Sequence, residues 1–468
     1  MNLFIASCNC ILMSYELTPI MATGGSPTHA PPVSQEQALL ESFFSCLSQF
    51  AYDKAKELME KERDGHKATF GSSWGLLMHS MANMAMNEKT YTSLVYLSPK
   101  WFGRKDVFQN MRSSYTILLT ELKRIEEIPG TQADPELVAP PPSSEKLLSH
   151  LCGQLGHFVT ARIKMMDFYE QMSTMGSMKV INFDDLLNVI AHISQNHQKN
   201  FHHPILSPLK TSFTLECDIN SHLLQAQKNM ANWQFLTSLL QLHEAHTKLA
   251  IWCDVTQMKD TTKKLTFGSS KQPAVPALYH WLNKFKGVLV SKFSLYFYDT
   301  LSKQAPQGEM KSVMAKATVD FISRITTFQK KSDAVNISLV FDVHGIEDLY
   351  NGPGYHHPNK FSEKPKGLDS YPAVFAYPGE KPSNHWPNVI MIMEDRRSEN
   401  TFDKVIFFYD KKMQSTYFMS RIEPRITLVL IFETKKAEKD SYIVNFVNEF
   451  STLLRLNKTF QTLKQGAK

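Results

Sequence analysis

Three motifs in this sequence combine residue types that could do chemistry. Gly71-Ser72-Ser73-Trp74-Gly75 fits G-x-S-x-G, the pattern that holds a nucleophilic serine on a strained strand-to-helix turn. Such an elbow needs a buried strand leading straight into it. Here the preceding residues are Lys61-Glu62-Arg63-Asp64-Gly65, a charged helix end, so a glycine-rich helix start is the expectation. His243-Glu244-Ala245-His246 is one residue short of H-E-x-x-H, in which histidines at i and i+4 hold zinc and the glutamate acts as base. At i+3, with no further ligand nearby in sequence, a pair on a helix surface is expected. His-His-Pro occurs twice, in Phe201-His202-His203-Pro204 and in Tyr355-His356-His357-Pro358. Four histidines could assemble a metal site and activate water, which makes a metal-dependent hydrolase the enzyme reading of this sequence. The proline imposes an extended backbone on the residue before it, and adjacent side chains then diverge, so support of turns is the favoured role.

The methionine stripe Met78, Met81, Met84 and Met86 suits adaptable core packing better than a partner groove. A Walker loop, a dinucleotide fingerprint and a C-x-x-C pair are all missing from the sequence. We therefore assign no catalytic, cofactor-binding or metal-binding residue and expect no cofactor.

The elements that would have to position any site are mostly helical. A length of 468 residues exceeds what one hydrophobic core of about 250–300 residues supports, so two domains are expected. Hydrophobic residues at 43% and charged residues at 21% describe an ordinary globular chain. The net charge of +6 is spread out: from Lys331 onward, 19 basic residues face 17 acidic ones. A nucleic-acid binder would concentrate its basic residues, so nucleic acid is not an expected partner. Cys8, Cys10, Cys46, Cys152, Cys217 and Cys253 are scattered, as expected of reduced thiols in a cytosolic protein. The longest apolar run, Ile426 to Phe432, is far below the roughly 18 residues of a membrane span. Met1 to Ile20 lacks the basic start and cleavage site of a signal peptide, and residues 1–32 are expected to be a disordered extension.

Beyond it, Ser34 with Gln37 forms a capping-box start, and Leu40, Phe43, Phe44, Leu47, Phe50 and Leu58 follow at helical spacing. Further helical patterns run over about 72–97, 104–127, 144–175, 183–199, 208–233, 236–264 and 277–303, with a Pro-rich loop at 129–143 and a linker at 266–276. Long amphipathic helices with short breaks can bury their stripes only against one another, which implies an antiparallel bundle over 33–305. The period then changes. After a helix ending near Lys330-Lys331, Ile337, Leu339, Phe341 and Val343 alternate with polar residues, and Val389–Met393, Val405–Tyr409, Thr416–Met419 and Ile426–Phe432 read as strands. The last three have connections too short for a parallel return. A final helix places Ile443, Phe446, Val447, Phe450, Leu453 and Leu454 on one face. The expectation for 306–468 is an α+β domain, an antiparallel sheet of about five strands flanked by helices, similar to profilin-like, roadblock or longin modules.

Phe201–Leu209 (FHHPILSPL), Ala334–Asp342 (AVNISLVFD), Gly354–Pro358 (GYHHP), His385–Met393 (HWPNVIMIM) and Gln414–Phe418 (QSTYF) resemble segments of a family of eukaryotic KICSTOR-complex subunits, with similarity over about residues 33–467. The resemblance implies a non-catalytic scaffold. Its implied partners are kaptin, an integrin-alpha FG-GAP-repeat protein, a very large seizure-threshold protein and the GATOR GTPase-activating complex. The implied location is the cytosol and, through those partners, the lysosomal surface. The implied effect is restraint of TOR signalling when amino acids or glucose are withdrawn. A longin-type trafficking adaptor is the other non-enzyme reading. Loops bearing Tyr355, Tyr371 and Trp386 are candidate exposed docking surfaces, with Trp386 equally suited to a core.

Overall fold

A computed structural model of the chain describes residues 35–465, apart from 66–72, 99–106, 132–142, 198, 258–274, 305–311, 313–315, 349, 351, 353–362, 399–400 and 403. The extension at 1–32 and most of the Pro-rich loop and the 266–276 linker lie outside the described residues.

Ten helices come first among the described residues: α1 Gln35–Ser48, α2 Tyr52–Gly65, α3 Ser73–Thr92, α4 Val107–Thr131, α5 Ser143–Met175, α6 Phe183–His197, α7 Ser207–Ala231, α8 Phe235–Gln257, α9 Ala277–Tyr296 and α10 Tyr298–Gln304. Neighbours in sequence are neighbours in space from α1 through α8, and α9 lies against α7 and α8. Amphipathic stripes drive this. On α5 the buried side chains include Leu151, Leu155, Phe158, Met165, Tyr169 and Met172, and on α7 Leu209, Phe213, Leu223 and Met230.

The pattern over Leu40–Leu58 reads as one helix but folds as two. Phe50 sits at φ 60° between α1 and α2, a left-handed conformation costing a non-glycine residue about 1 kcal/mol or more. Its ring is buried, with its centroid 5.6 Å from that of Trp252, which offsets the strain. Phe297 divides α9 from α10 in the same way that local geometry overrides periodicity, as the last-turn cap of α9.

After α11 (Phe321–Ser332) come β1 Asn336–Phe341, β2 Ala373–Tyr377, α12 Trp386–Asp395, β3 Ile406–Asp410, β4 Ser415–Glu423, β5 Ile426–Phe432, α13 Ser441–Leu454 and α14 Asn457–Gln461. The strands form one antiparallel sheet of order β2-β1-β5-β4-β3. Its central strand β5 is buried at every residue because both faces are covered. Ile337, Leu339, Phe418, Leu428 and Leu430 join the core of the helices, whereas Val340, Tyr417, Met419, Val429 and Ile431 pack under α12. The α+β expectation for the C-terminal part therefore holds, with the strand list corrected. Val389–Met393 is not a strand but part of α12. Pro387 in the first helical turn and burial of Trp386, Val389, Ile392 and Met393 at helical spacing outweigh the β-branched composition. The fifth strand is instead β2, which lies between Pro372 and Pro378 and forms a sheet edge, where proline is tolerated.

The helical bundle and the sheet share a continuous core. The chain end returns to the bundle: Asn457 Nδ2 donates to the carbonyls of Gly176 (3.2 Å) and Met178 (2.8 Å), and Gln461 Nε2 donates to Gly176 (2.9 Å). Gly176 is required there, since a Cβ would lie 2.8 Å from the Gln461 nitrogen. We propose 33–305 and 306–468 as a division by type of structure, the two parts being joined through this common interior.

Candidate functional site

Ionisable groups are expensive to bury, so the places where this fold buries them are the first candidates for function. One such place is the bundle centre. Arg162, on the inner face of α5, is 3% exposed. Its Nε donates to both oxygens of Glu88 on α3 (3.1 and 3.0 Å), and its Nη1 donates to Glu216 Oε2 on α7 (2.5 Å). The hydroxyls of Tyr91 and Tyr169 donate to Glu216 Oε1, and that of Tyr115 donates to Glu88 Oε1 (2.8 Å). The guanidinium lies 4.5 Å from the centroid of Tyr91 and 5.0 Å from that of Phe158. Burial pushes Glu88 above the ordinary glutamate value against the pull of Arg162. Burial likewise pushes the hydroxyls of Tyr91, Tyr115 and Tyr169 well up, so they remain donors. Two carboxylates thus share one cation, and α3, α4, α5 and α7 are tied at one point.

A second network joins bundle to sheet. Lys292 on α9 is fully buried and pairs with Glu423 at the end of β4. It also donates to Gln227 Oε1 on α7 (2.9 Å) and to the Leu454 carbonyl at the end of α13 (2.8 Å), while Gln227 Nε2 donates to Glu423 Oε1 (2.6 Å). Burial pushes Lys292 down from the ordinary lysine value, opposed by Glu423.

Neither network is open to a ligand. A surface cleft of about 520 Å³ between α1, the start of α7 and the end of α8 is lined by Ser45, Pro204, Ile205, Ser212 and Trp252, with Glu41 as its one titratable side chain among the described residues. Ser212 Oγ accepts from Trp252 Nε1 (3.0 Å) and has no base beside it in that lining.

The sequence candidates fall as follows. Ser73 is the first residue of α3, and the described element before it is α2, a helix that ends at Gly65; residues 66–72, with Gly71 and Ser72, lie outside the described residues. His243 and His246 are half-buried on α8, and His246 Nδ1 is 3.3 Å from the ammonium of Lys286. That neighbour, together with burial as the larger cause, pushes His246 below its usual value. The backbone amides of His202 and His203 both donate to Gln154 Oε1 (2.8 and 2.7 Å), and His203 Nδ1 accepts from the Ile205 amide (3.3 Å), capping the turn before α7. His150 of α5, from a distant part of the chain, adds a third ring 5.9 Å from each of theirs. His356, His357 and Tyr355 lie outside the described residues. Among those described, no group of three or more His, Cys, Asp or Glu side chains is placed to hold a metal ion.

Met78, Met81 and Met84 are core residues, and Met86 is partly buried. Cys46, Cys152, Cys217 and Cys253 are in no disulfide, and burial pushes the Cys152 thiol up to about 12, far from a reactive thiolate. Tyr371, expected on an exposed loop, is instead buried at 4% exposure, and Trp386, at 2%, takes the core alternative, its Nε1 donating to the Tyr371 carbonyl (3.0 Å). Packing of α12 on the sheet is the reason.

Known proteins match the chain almost end to end. The family model described as KICSTOR complex C12orf66 like matches residues 29–468. A Xenopus laevis protein named KICSTOR subunit 2 is 44% identical over 450 residues, covering 94% of this chain and 99% of the relative. A Danio rerio protein of the same name is 46% identical over 450 residues, covering 93% of this chain and 97% of the relative.

Proposed function

The chain belongs to the KICSTOR complex C12orf66-like family, and on that premise we propose that it is a non-catalytic subunit of the KICSTOR complex. In this reading it assembles with kaptin, the integrin-alpha FG-GAP-repeat protein and the large seizure-threshold protein. The assembly helps bring the GATOR GTPase-activating complex to lysosomes, and TOR signalling falls when amino acids or glucose are withdrawn. We place the lysosomal contact in the partner subunits, since no helix among the described residues is long and apolar enough to cross a membrane.

The observation that carries the reading is the match over nearly the whole of this chain and of its relatives, leaving no unmatched domain in either. The geometry is in keeping with it. The buried ions of Arg162 and Lys292 join helices to one another and to the sheet. The test is co-purification of the tagged full chain with the other three subunits from cells. Recovery of all three at near-equal amounts is expected, and recovery of none would overturn the reading.

A further inference from the structure

The two edges of the sheet are finished differently. Strand β2 is guarded: Pro372 and Pro378 bracket it, and Phe375 lies against Tyr298 of α10 (ring centroids 5.9 Å). Strand β3 pairs with β4 on one side, from Ile406↔Met419 to Asp410↔Ser415, and is the last strand of the sheet on the other. Its side chains alternate, Phe407 reaching the main core and Phe408 the layer under α12, and each is only partly buried. On the flank, Asn388 of α12 bonds Asp410 Oδ2 (2.8 Å), and one turn further along the same helix Met391 is 44% exposed. Among the described residues no strand pairs with this outer edge, which leaves its backbone groups beside half-buried aromatic side chains.

The charge beside it has one sign to spare. Lys411 and Lys412 are exposed in the β3–β4 turn, and Lys435 follows β5 at the same end of the sheet, its Nζ 5.5 Å from the Tyr409 ring centroid. Two carboxylates lie close by among the described residues, Asp410, whose Oδ1 accepts from the amides of Lys412 (2.8 Å) and Met413 (3.1 Å), and Glu433, which is 3.2 Å from His385, so the three lysines outnumber them. Lys436 is held by Asp333.

We propose that the outer edge of β3 takes an extended acidic segment of a partner protein as a sixth strand, its carboxylates meeting Lys411, Lys412 and Lys435. Main-chain hydrogen bonds would supply affinity and the lysines would select the sign of charge. The inference rests on the complex-subunit reading only in requiring a partner, and its test reads the edge alone, so failure here leaves complex assembly standing.

The test uses the full chain and a fluorescein-labelled peptide of alternating glutamate and valine, followed by anisotropy. A second peptide has lysine for glutamate, and a third is N-methylated at every residue so that neither of its edges can donate a main-chain hydrogen bond. Binding of the acidic peptide, loss with the lysine and N-methylated peptides, and weakening by about tenfold or more in the Lys411→Glu/Lys412→Glu/Lys435→Glu variant are expected. Should that variant not fold, the three peptides on the unaltered chain decide. No binding of the acidic peptide, equal binding of acidic and basic peptides, or equal binding of the N-methylated one would overturn the proposal. So would a doubled solution mass that the triple variant reduces to one chain, which would assign the edge to a second copy.

Discussion

Replacing Arg162 by methionine removes the one cation shared by Glu88 and Glu216 while filling much of its volume. What remains is two carboxylates in a closed interior, held only by the hydroxyls of Tyr91, Tyr115 and Tyr169. Breaking a buried pair costs about 3–5 kcal/mol, because the stranded charge dominates the loss. The contact with the Tyr91 face adds about 1 kcal/mol. Against a total stability of about 5–15 kcal/mol this is a large fraction. With unfolding entropy of about 2 cal/mol/K per residue, a chain of 468 residues loses about 1 °C of Tm per kcal/mol, so a fall of about 4–6 °C is expected.

Glu88→Gln should behave oppositely. Glu88 has its folded pKa raised, so its stabilising contribution is present below the unfolded value and is lost as pH rises through the folded value. Its ionised form carries a desolvation cost that glutamine removes while keeping an acceptor for Arg162 and Tyr115. The variant should lie within about 1 kcal/mol of the parent, and its advantage should grow as pH rises above the ordinary glutamate value. Urea unfolding followed by circular dichroism reads both. An Arg162→Met loss below about 1 kcal/mol, or a Glu88→Gln loss as large as that of Arg162→Met, would refute the view that this network is a shared-cation clamp.

Three further outcomes follow from the same physics. Lys292→Met strands Glu423, whose Oε2 already has no donor, and should cost about 3–5 kcal/mol, while adding Glu423→Leu should recover most of it; a double-mutant cycle in urea measures the coupling. Lys286, which burial pushes down to about 8, should bind its proton more weakly folded than unfolded between about pH 8 and 10.5, so its penalty is full at pH 7 and fades as pH rises. Lys286→Met should therefore stabilise by up to about 3 kcal/mol at pH 7 and by less than half of that at pH 9.5, seen by unfolding at the two values. His203→Ala removes the cap on the Ile205 amide and should cost about 0.5–1 kcal/mol, with unchanged elemental zinc content by mass spectrometry; loss of one bound zinc per chain would restore the hydrolase reading.

The helices were legible because their apolar stripes repeat over many turns, as in Leu151, Leu155 and Phe158 of α5. Where a single residue decided the outcome, periodicity was silent: Phe50 breaks the first pattern through its backbone angle, and Pro387 turns a β-branched run into a helix. Strand β2 was hidden because five residues between two prolines carry too short an alternation. The buried ions had a signal that went unused. Arg162 lies four residues after Phe158 and seven after Leu155, and Lys292 lies three after Leu289 and seven after Phe285, each a charge on an apolar stripe. Their partners Glu88, Glu216 and Glu423 come from elsewhere in the chain, so pairing could only be seen in three dimensions.

The central claim is most directly tested in cells deprived of amino acids, by following phosphorylation of a TOR kinase substrate with and without this protein. The signal is expected to persist in starved cells lacking the chain and to fall again when the full chain is restored. Normal loss of phosphorylation in its absence would contradict that claim.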